Sequence, residues 1–388
     1  MRITVRTASL ELRTPLRISR SVMARRDAVW LSVEDGDGAA GYGEVVSSVY
    51  LGLTAERAKH ALLGHAAPAL ARQPDPEAAL LGLLNGTLLP RGFPPGVTAA
   101  VDSALLDLVG KRAGRPVHRL LGDGDGDGDG DGDGVGDGVG ADVGVRAGAG
   151  DGDPGDRDEV AAVTARTIGI TDPADAAEQA RELAARGFRI LKVKAGSVDP
   201  AEDLDRVAAV HDAAPDVRLL LDPNGAWTPT RAEALLPLFS ALGVEAVEQP
   251  TAPGDPESLA RLAEHSPVPL IADEDAVGYD DALRLAGRVH GVNIKLAKCG
   301  GAHAAARICA ALDGSGTDVM LGCLTASSLG IAPAVHLVAR ARWVDLDGHL
   351  LLAHDPWQGI GGADGTVRAA GRPGLGVSPV SRSGGDGT

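Results

Sequence analysis

The chain has 388 residues, of which 44% are hydrophobic but only 3% aromatic, and its net charge is −16. This length suits two domains around a sizeable aliphatic core, and the sequence has no run of about 18 apolar residues that could cross a membrane. Residues 123–159 hold 13 acidic and two basic residues, so the rest of the chain is only mildly acidic, which argues against nucleic acid or an anionic membrane as its main ligand.

The first 121 residues predict a small α+β domain. Two strand patterns, VWLSV and GYGEVV, flank the segment Asp35-Gly-Asp-Gly, which is a strong signal for a β-hairpin. Apolar residues at helical spacing follow in two segments, residues 54–72 and 96–113. The second helix is expected to stop at Gly114, because glycine commonly ends helices.

A repeat of glycine and aspartate fills residues 122–158. Such a segment has almost no apolar surface to bury, and we therefore predict a disordered insert between two domains. The alternative is a calcium-binding β-roll, which would need a periodic apolar residue that the bare Gly-Asp repeat lacks.

From residue 159 onward, short apolar strands alternate with helical stretches. The predicted strands are residues 161–170, 188–194, 217–222, 244–248, 269–273, 291–296, 318–324 and 342–347. Eight buried strands alternating with helices predict a parallel α/β barrel, to which we assign residues 159–356. Residues 357–388 are expected to return to the first domain and to finish in a loose polar tail.

In such a barrel the active site forms at the carboxyl ends of the strands. Three successive predicted strands end in a carboxylate, at Asp222, Glu248 and Asp273. A lone aspartate at a strand end is more often a helix cap, but three anions that converge repel one another unless a cation lies between them. Oxygen ligands without His or Cys suit Mg²⁺ better than Zn²⁺, so we predict a Mg²⁺ site here.

Lysines end two further predicted strands, on either side of this site. Lys192 and Lys194 alternate so that both point into the barrel, and Lys295 lies across from them. Mg²⁺ would stabilise the enolate that forms when a proton next to a carboxylate is removed, and a neutral lysine could take that proton. Lys192 and the metal would both lower the pKa of the accepting lysine. The alternative for a single strand lysine is a snorkelling surface residue.

The motifs LKVKAG, LDPNGAW, VEQP, IADED and NIKLAKCGG, in this order, resemble those of the enolase superfamily, specifically the muconate lactonizing enzyme subgroup. The resemblance implies a modified TIM barrel of the (β/α)7β type with an N-terminal α+β capping domain. It also implies roles for six side chains: an acid/base pair (Lys194 and Lys295), an electrostatic helper (Lys192) and Mg²⁺ ligands (Asp222, Glu248 and Asp273).

Substrate selection is expected mainly at the end of the last barrel strand. Asp345-Leu-Asp347 resembles the DxD motif with which dipeptide epimerases hold the α-ammonium group of their substrate, and two carboxylates favour a cation. The alternative is that one of the two points outward into solvent. Further substrate contacts are predicted for Arg20, Asn224 and Thr167. Arg20 is similar to an arginine that binds a glutamate side chain in Ala-Glu epimerases, and a solvated loop arginine is its alternative.

The seventh predicted strand departs from the family pattern. Relatives often carry a glutamate in an LES-like segment, whereas this chain reads LTASS with Ala326 at the matching position. A carboxylate is therefore expected to be missing there, which would favour a dipeptide other than Ala-Glu.

We predict a Mg²⁺-dependent isomerase that epimerises a dipeptide by two-lysine 1,1-proton transfer through an enolate. The alternatives on the same scaffold are a cycloisomerase, an N-acylamino acid racemase and an o-succinylbenzoate synthase, and the alternative outside enzymes is a metal-binding interaction protein. The expected partner is a small dipeptide, without nucleic acid or membrane, and a homo-oligomer is expected by analogy only. The three cysteines form no CxxC pair, which predicts a reduced, cytoplasmic setting.

Overall fold

The computed structural model describes residues 1–122 and 159–381. The predicted Gly/Asp insert falls outside the described residues except for Gly122, and so does the end of the predicted loose tail. None of the described helices combines the length and the apolar character that a bilayer crossing requires.

A three-stranded antiparallel sheet begins the capping domain, with the order β1 (Arg2–Ile18), β2 (Ser21–Glu34) and β3 (Ala40–Val46). The hairpin predicted at Asp35 is confirmed, because Glu34 pairs with Ala40. The Asp35 carboxylate accepts hydrogen bonds from the backbone N–H groups of Asp37 and Ala39, at 2.9 and 3.0 Å. The other turn of the sheet, between β1 and β2, carries Arg20.

The helices of the capping domain are α1 (Ala55–Ala61), α2 (Ala67–Ala71), α3 (Pro76–Leu84), α4 (Pro95–Ala113) and α5 (Val117–Leu120). The helix predicted over residues 54–72 is present as α1 and α2, joined by a π-helical turn at Leu62–Ala66. Helix α3 was not predicted. Helix α4 ends at Gly114, which has a left-handed φ of 65°, and it lies so close to β3 that a Cβ on Gly43 would overlap the backbone of Ala100.

The first strand of the second domain differs from the prediction. Residues 161–170 were expected to form one barrel strand, but the structure has β4 (Glu159–Val163) and β5 (Arg166–Ile168). Strand β4 pairs antiparallel with residues 366–370 outside the barrel, and only β5 belongs to the barrel sheet.

The barrel continues from β5 with seven further parallel strands, each paired with the next along the chain. They are β6 (Ile190–Lys194), β7 (Arg218–Asp222), β8 (Val244–Glu248), β9 (Leu270–Ala272), β10 (Gly291–Lys295), β11 (Asp318–Gly322) and β12 (Trp343–Asp345). A hydrogen bond of 2.8 Å from Ala165 N to Val344 O joins the first and last strands. The predicted (β/α)7β barrel is therefore confirmed.

The helices of this domain are α6 (Pro173–Ala185), α7 (Pro200–Ala213), α8 (Pro229–Ala241), α9 (Pro256–Glu264), α10 (Tyr279–Leu285), α11 (Leu296–Cys299), α12 (Ala302–Leu312) and α13 (Ser328–Val335), with 3₁₀ turns at Val338–Arg340 and Gly348–Leu351. Helices α6 to α9 all begin with the same two-residue sequence pattern. An Asp or Thr side chain accepts a backbone N–H of the first turn, and a proline follows it at the first helical position.

The C-terminal segment contains β13 (Trp357–Gln358), β14 (Thr366–Ala370) and β15 (Ser378–Pro379). Strand β14 is the partner of β4, and β13 pairs with β15. Between β14 and β15 the chain reaches the capping domain. There Leu375 N donates to the Asp107 carboxylate at 2.8 Å, and Gly374 N donates to Arg115 O at 2.9 Å.

The lower interior of the barrel is filled by apolar side chains. They are Ala165, Ile190, Leu220, Ala246, Ile271, Met320 and Trp343. A Cβ on Gly291 would come within 2.7 Å of the Trp343 ring, so glycine gives this large side chain its room. The polar side chains predicted to form the site lie above this packed floor, at the carboxyl ends of the strands.

Candidate active site

Two strands place lysine side chains on opposite sides of the barrel mouth. Lys192 and Lys194 lie on β6, and Lys295 is the last residue of β10. Strands β7, β8 and β9 separate them. Lys192 is 2% exposed, and Lys194 and Lys295 are each 9% exposed, so the charges of all three depend on protein partners rather than on water.

Lys192 is the centre of the cluster. Its Nζ lies 2.8 Å from Asp345 Oδ2 and 3.2 Å from Asp222 Oδ2, and it also contacts Glu248 Oε2. Burial by itself lowers the pKa of Lys192, but the three carboxylates more than offset it and hold that pKa well above the usual value. Lys192 is therefore a fixed positive charge.

Lys194 and Lys295 each meet a different carboxylate. Lys194 Nζ pairs with Asp222, and Lys295 Nζ lies 2.6 Å from Asp273 Oδ2 and 3.7 Å from Glu248 Oε1. Burial opposes the charge of Lys295, yet the carboxylates of Asp273 and Glu248 raise its pKa above the ordinary value. The amines thus lie at either end of a row of acids.

The three strand-end carboxylates differ in their acidity. Burial alone would raise the pKa of each. At Asp222 the neighbouring ammonium groups prevail and lower the pKa to about 2, and they hold the pKa of Asp273 well below its usual value. At Glu248 burial and the negative charge of Asp222 prevail, and the pKa is raised to about 7.

Asn224 and Gln249 shape the ends of β7 and β8 with left-handed φ angles of 51° and 37°. Asn224 N donates to Asp222 Oδ1 at 2.8 Å, so this predicted substrate-binding residue also orients a neighbouring acid. Gln249 Oε1 accepts from the backbone N–H of Asp273 at 2.9 Å and thereby ties the end of β8 to the end of β9. Strained backbone of this kind collects at functional sites.

Sequence reasoning missed two buried partners of these acids. Lys298 Nζ lies 2.6 Å from Asp273 Oδ1 and also donates to Asn293 O at 2.9 Å. Asn293 Nδ2 donates to Glu248 Oε1 at 2.7 Å. The signal was present in NIKLAK, since Asn293 alternates with Lys295 along β10 and Lys298 follows one helical turn later.

Within residues 1–122 and 159–381, no three Asp, Glu, His or Cys side chains are grouped as a ready-made metal site. Ammonium groups instead fill the space between the acids, with Lys192 between Asp222 and Glu248 and Lys295 between Glu248 and Asp273. The donor set nevertheless fits a hard divalent cation, because three buried carboxylates on adjacent strands offer only oxygen ligands.

The two carboxylates that follow β12 have different partners. Asp347 Oδ2 accepts from Arg166 Nη1 at 2.9 Å and from the backbone N–H of Thr167 at 2.7 Å. Asp345 Oδ2 pairs with Lys192, while its Oδ1 is buried and has no hydrogen-bond partner in the described part of the chain. Neither carboxylate is solvated, since the two residues are 5% and 3% exposed.

Arg20 lies at the barrel mouth. Its Nη2 pairs with Glu274, its Nη1 donates to Asn224 O at 3.3 Å, and its guanidinium carbon lies 5.8 Å from the centre of the Tyr50 ring. The side chain of Arg20 is 41% exposed, whereas that of Glu274 is 1% exposed. Arg20 thus reaches the site while part of its charge faces solvent.

A carboxylate is present beside the LTASS segment, although its source is the capping domain. Glu44 on β3 accepts hydrogen bonds from Ser327 N at 2.9 Å, from the Ser327 hydroxyl, and from Trp30 Nε1 at 2.6 Å. Glu44 is 8% exposed. Burial raises its pKa, which the three hydrogen bonds partly offset. A cross-domain contact therefore occupies the position next to Ala326.

Two family models match the chain. Residues 1–122 match the N-terminal domain of the mandelate racemase/muconate lactonizing enzyme family, and residues 175–383 match the enolase C-terminal domain-like family. Together they cover both the capping domain and nearly the whole barrel.

Characterised relatives are similar over almost the full length. A hydrophobic dipeptide epimerase from Roseobacter litoralis is 31% identical, with 97% of this chain and 98% of that protein covered. An L-Lys-D/L-Arg epimerase from Methylococcus capsulatus is 32% identical over the same shares of the two chains. A solved dipeptide epimerase from Enterococcus faecalis, in complex with Mg and the dipeptide L-Leu-L-Tyr, has a TM-score of 0.81 and 28% identity, and covers 97% of this chain and 98% of its own.

Proposed function

The chain belongs to the mandelate racemase/muconate lactonizing enzyme family of the enolase superfamily, and from this premise we propose that it epimerises a dipeptide at the α-carbon of its carboxyl-terminal residue. The observation that carries the proposal is the opposed placement of Lys194 and Lys295 on β6 and β10, with the acids of β7, β8 and β9 between them. A racemising site needs an acid/base group on each face of the reacting carbon.

The reaction is a 1,1-proton transfer. One of the two lysines, in its neutral form, takes the α-proton, and the electron pair of the broken C–H bond moves into the carboxylate to give an enolate. The other lysine, in its ammonium form, returns a proton to the opposite face. Lys192 remains charged beside the developing negative charge and stabilises it electrostatically.

We further propose that Asp222, Glu248 and Asp273 hold one Mg²⁺ per chain. The bound ion would supply positive charge that stabilises the extra negative charge on the substrate carboxylate. Asn293 and Gln249 fit a supporting role, because their side-chain hydrogen bonds fix Glu248 and the backbone of Asp273.

Charge balance gives a reason for a neutral lysine. The buried cluster contains four lysines and four acids: Lys192, Lys194, Lys295, Lys298, Asp222, Glu248, Asp273 and Asp345. It is neutral when every one of them is charged. A divalent cation and a zwitterionic dipeptide, whose carboxylate and ammonium charges cancel, add two net positive charges, and loss of a proton from one lysine reduces this excess. Loading of the site thus favours the base that the reaction needs.

Asp345 supports a substrate with a free amino group. Its buried Oδ1 lacks a partner among the described residues, and a buried oxygen of this kind favours a cationic donor such as an α-ammonium group. The relatives from Roseobacter litoralis and Methylococcus capsulatus are named for dipeptides of different side-chain chemistry. Membership of the family therefore does not determine which side chains the dipeptide substrate carries.

The test is NMR in D₂O with Mg²⁺ and a library of dipeptides. Deuterium should enter the α-position of the carboxyl-terminal residue, with conversion of the LL into the LD epimer. The matched library of N-acetyl amino acids is the control. Exchange with N-acetyl amino acids but with no dipeptide would replace this proposal with an acylamino acid racemase, and exchange with neither library would exclude both.

A further inference from the structure

A cavity of about 40 Å³ lies next to Lys295, between the barrel and the capping domain. The barrel contributes Cys323 and Ala326 to its wall, and the capping domain contributes Glu44 and Ala99. No step of the proposed reaction uses this space.

Small residues keep the cavity open. They are Gly96, Ala99, Ala297, Ala326, Gly330 and Ala334. A Cβ on Gly330 would come within 2.6 Å of Glu44 Oε1 and 2.9 Å of the Ala326 side chain. A larger residue at this position would therefore push Glu44 out of place and close the space.

The wall is apolar although it includes one carboxylate. Three hydrogen bonds, from Ser327 N, the Ser327 hydroxyl and Trp30 Nε1, already engage Glu44. The remaining wall is formed mostly by aliphatic side chains such as Val45, Leu324 and Ile331. An apolar group gains from this surface, whereas an acidic group would meet the charge of Glu44.

Cys323 places the cavity between the two functional ends of the site, which are the Asp345–Asp347 segment and Lys295. Its Sγ lies against Gly348, where a Cβ would be 3.1 Å away, and Gly348 directly follows Asp347. Burial raises the pKa of the Cys323 thiol, and the charges of Asp345 and Asp347 raise it further. Lys295 borders the same cavity.

We propose that this cavity receives the side chain of the amino-terminal residue of the substrate and selects a small apolar one. This inference rests on the proposed function. A dipeptide with its ammonium group at Asp345 and its reacting carbon beside Lys295 spans Cys323, which directs the first side chain into the cavity. A volume of about 40 Å³ accepts about three water-sized groups, so alanine to valine fit, whereas phenylalanine and lysine exceed it.

The first measurement is kcat/KM for α-proton exchange with dipeptides that differ only in their first residue: Gly, Ala, Val, Phe, Lys or Glu. The alanyl and valyl dipeptides should exceed the phenylalanyl and lysyl ones by at least about 10-fold, the scale that a misfit in an apolar pocket produces. Equal rates across the series would overturn the subsite. No exchange with any dipeptide would instead overturn the proposed function on which the subsite rests.

Variants of the cavity wall test whether the cavity, rather than another part of the site, causes the substrate selectivity. Ala326→Leu fills the space and should lower the ratio of kcat/KM for valyl over glycyl dipeptide by at least about 10-fold. Ile331→Ala enlarges it and should raise the rate with a leucyl dipeptide, which keeps the test decisive if Ala326→Leu folds poorly. Ala185→Leu, exposed on α6, is the matched control. Ratios that stay at the control value in both cavity variants would rule the subsite out.

Discussion

Arg166 Nη1 lies 2.9 Å from Asp347 Oδ2, which also accepts the backbone N–H of Thr167 at 2.7 Å. This contact ties the first barrel strand to the segment after the last one, so it reinforces the barrel where the two strands meet. The charge of Asp347 is thereby balanced within the protein, whereas Asp345 keeps a buried oxygen without a partner among the described residues. The two carboxylates therefore differ in what they can offer a substrate cation.

Replacing these carboxylates one at a time should give different results. Asp345→Asn should lower kcat/KM for a dipeptide by about 10- to 100-fold, because a charge-assisted hydrogen bond to the ammonium group is lost. Asp347→Asn should leave kcat/KM much less affected but lower the free energy of unfolding by about 1–3 kcal/mol, because the half-buried Arg166 loses its acidic partner. Steady-state kinetics and urea unfolding separate the two effects, and equal losses of kcat/KM would contradict the assignment.

Removing either opposed lysine should stop epimerisation and leave a one-sided exchange. Lys194→Ala and Lys295→Ala should each slow epimerisation by about 10³-fold or more, the usual scale for loss of an acid/base group. Each variant should still exchange the α-proton of one epimer with D₂O, and the two variants should act on opposite epimers. Lys59→Ala, in helix α1 of the capping domain, is the control. Loss of exchange with the same epimer in both variants would refute the two-faced arrangement.

Removal of Mg²⁺ should abolish activity without unfolding the protein. Each strand-end carboxylate already has a lysine partner, such as Lys295 at 2.6 Å from Asp273, so the ammonium groups offset much of the repulsion among the acids when no metal is bound. Chelation with EDTA should therefore stop α-proton exchange while the circular dichroism spectrum stays unchanged, and added Mg²⁺ should restore exchange. A collapse of the spectrum on chelation would mean that the lysines do not compensate these charges.

The barrel could be predicted from sequence because its signals are local. Strand β6, for example, is a short apolar run that ends in lysines, and helix α6 begins with Asp172 followed by proline. The last residues of each strand can be assigned to the mouth of the barrel, because all parallel strands point the same way. These features need no knowledge of distant contacts.

The parts that could not be predicted depend on partners far along the chain. Residues 159–163 resemble a barrel strand in sequence, but they pair with residues 366–370. Glu44 looked like an ordinary residue of a hairpin strand, and its contact with Ser327 follows only from the docking of the two domains. The three acids predicted a cation between them, but no local pattern indicated that lysine ammonium groups would fill that space.

His336 carries a pH dependence of stability that is independent of the active site. It lies at the end of α13, is 5% exposed, and stacks on His118 with ring centres 5.5 Å apart. Burial, and secondarily the neighbouring His118, lower the pKa of His336 from 6.5 to about 3. Below pH 6.5 the unfolded chain therefore binds a proton that the folded protein does not, and stability is lost as the pH falls from 6.5 towards 3.

His336→Asn should flatten this dependence. Between pH 6 and pH 4.5 the wild-type protein should lose about 1.4 kcal/mol per pH unit more than the variant, which is the linkage of one proton. Urea unfolding at several pH values measures the difference, and groups that both proteins share, such as Glu248, cancel from it. His265→Asn, at an exposed position, is the matched control and should follow the wild-type curve. Parallel curves for wild type and His336→Asn would show that His336 is protonated in the folded state, because only then would its removal leave the slope unchanged.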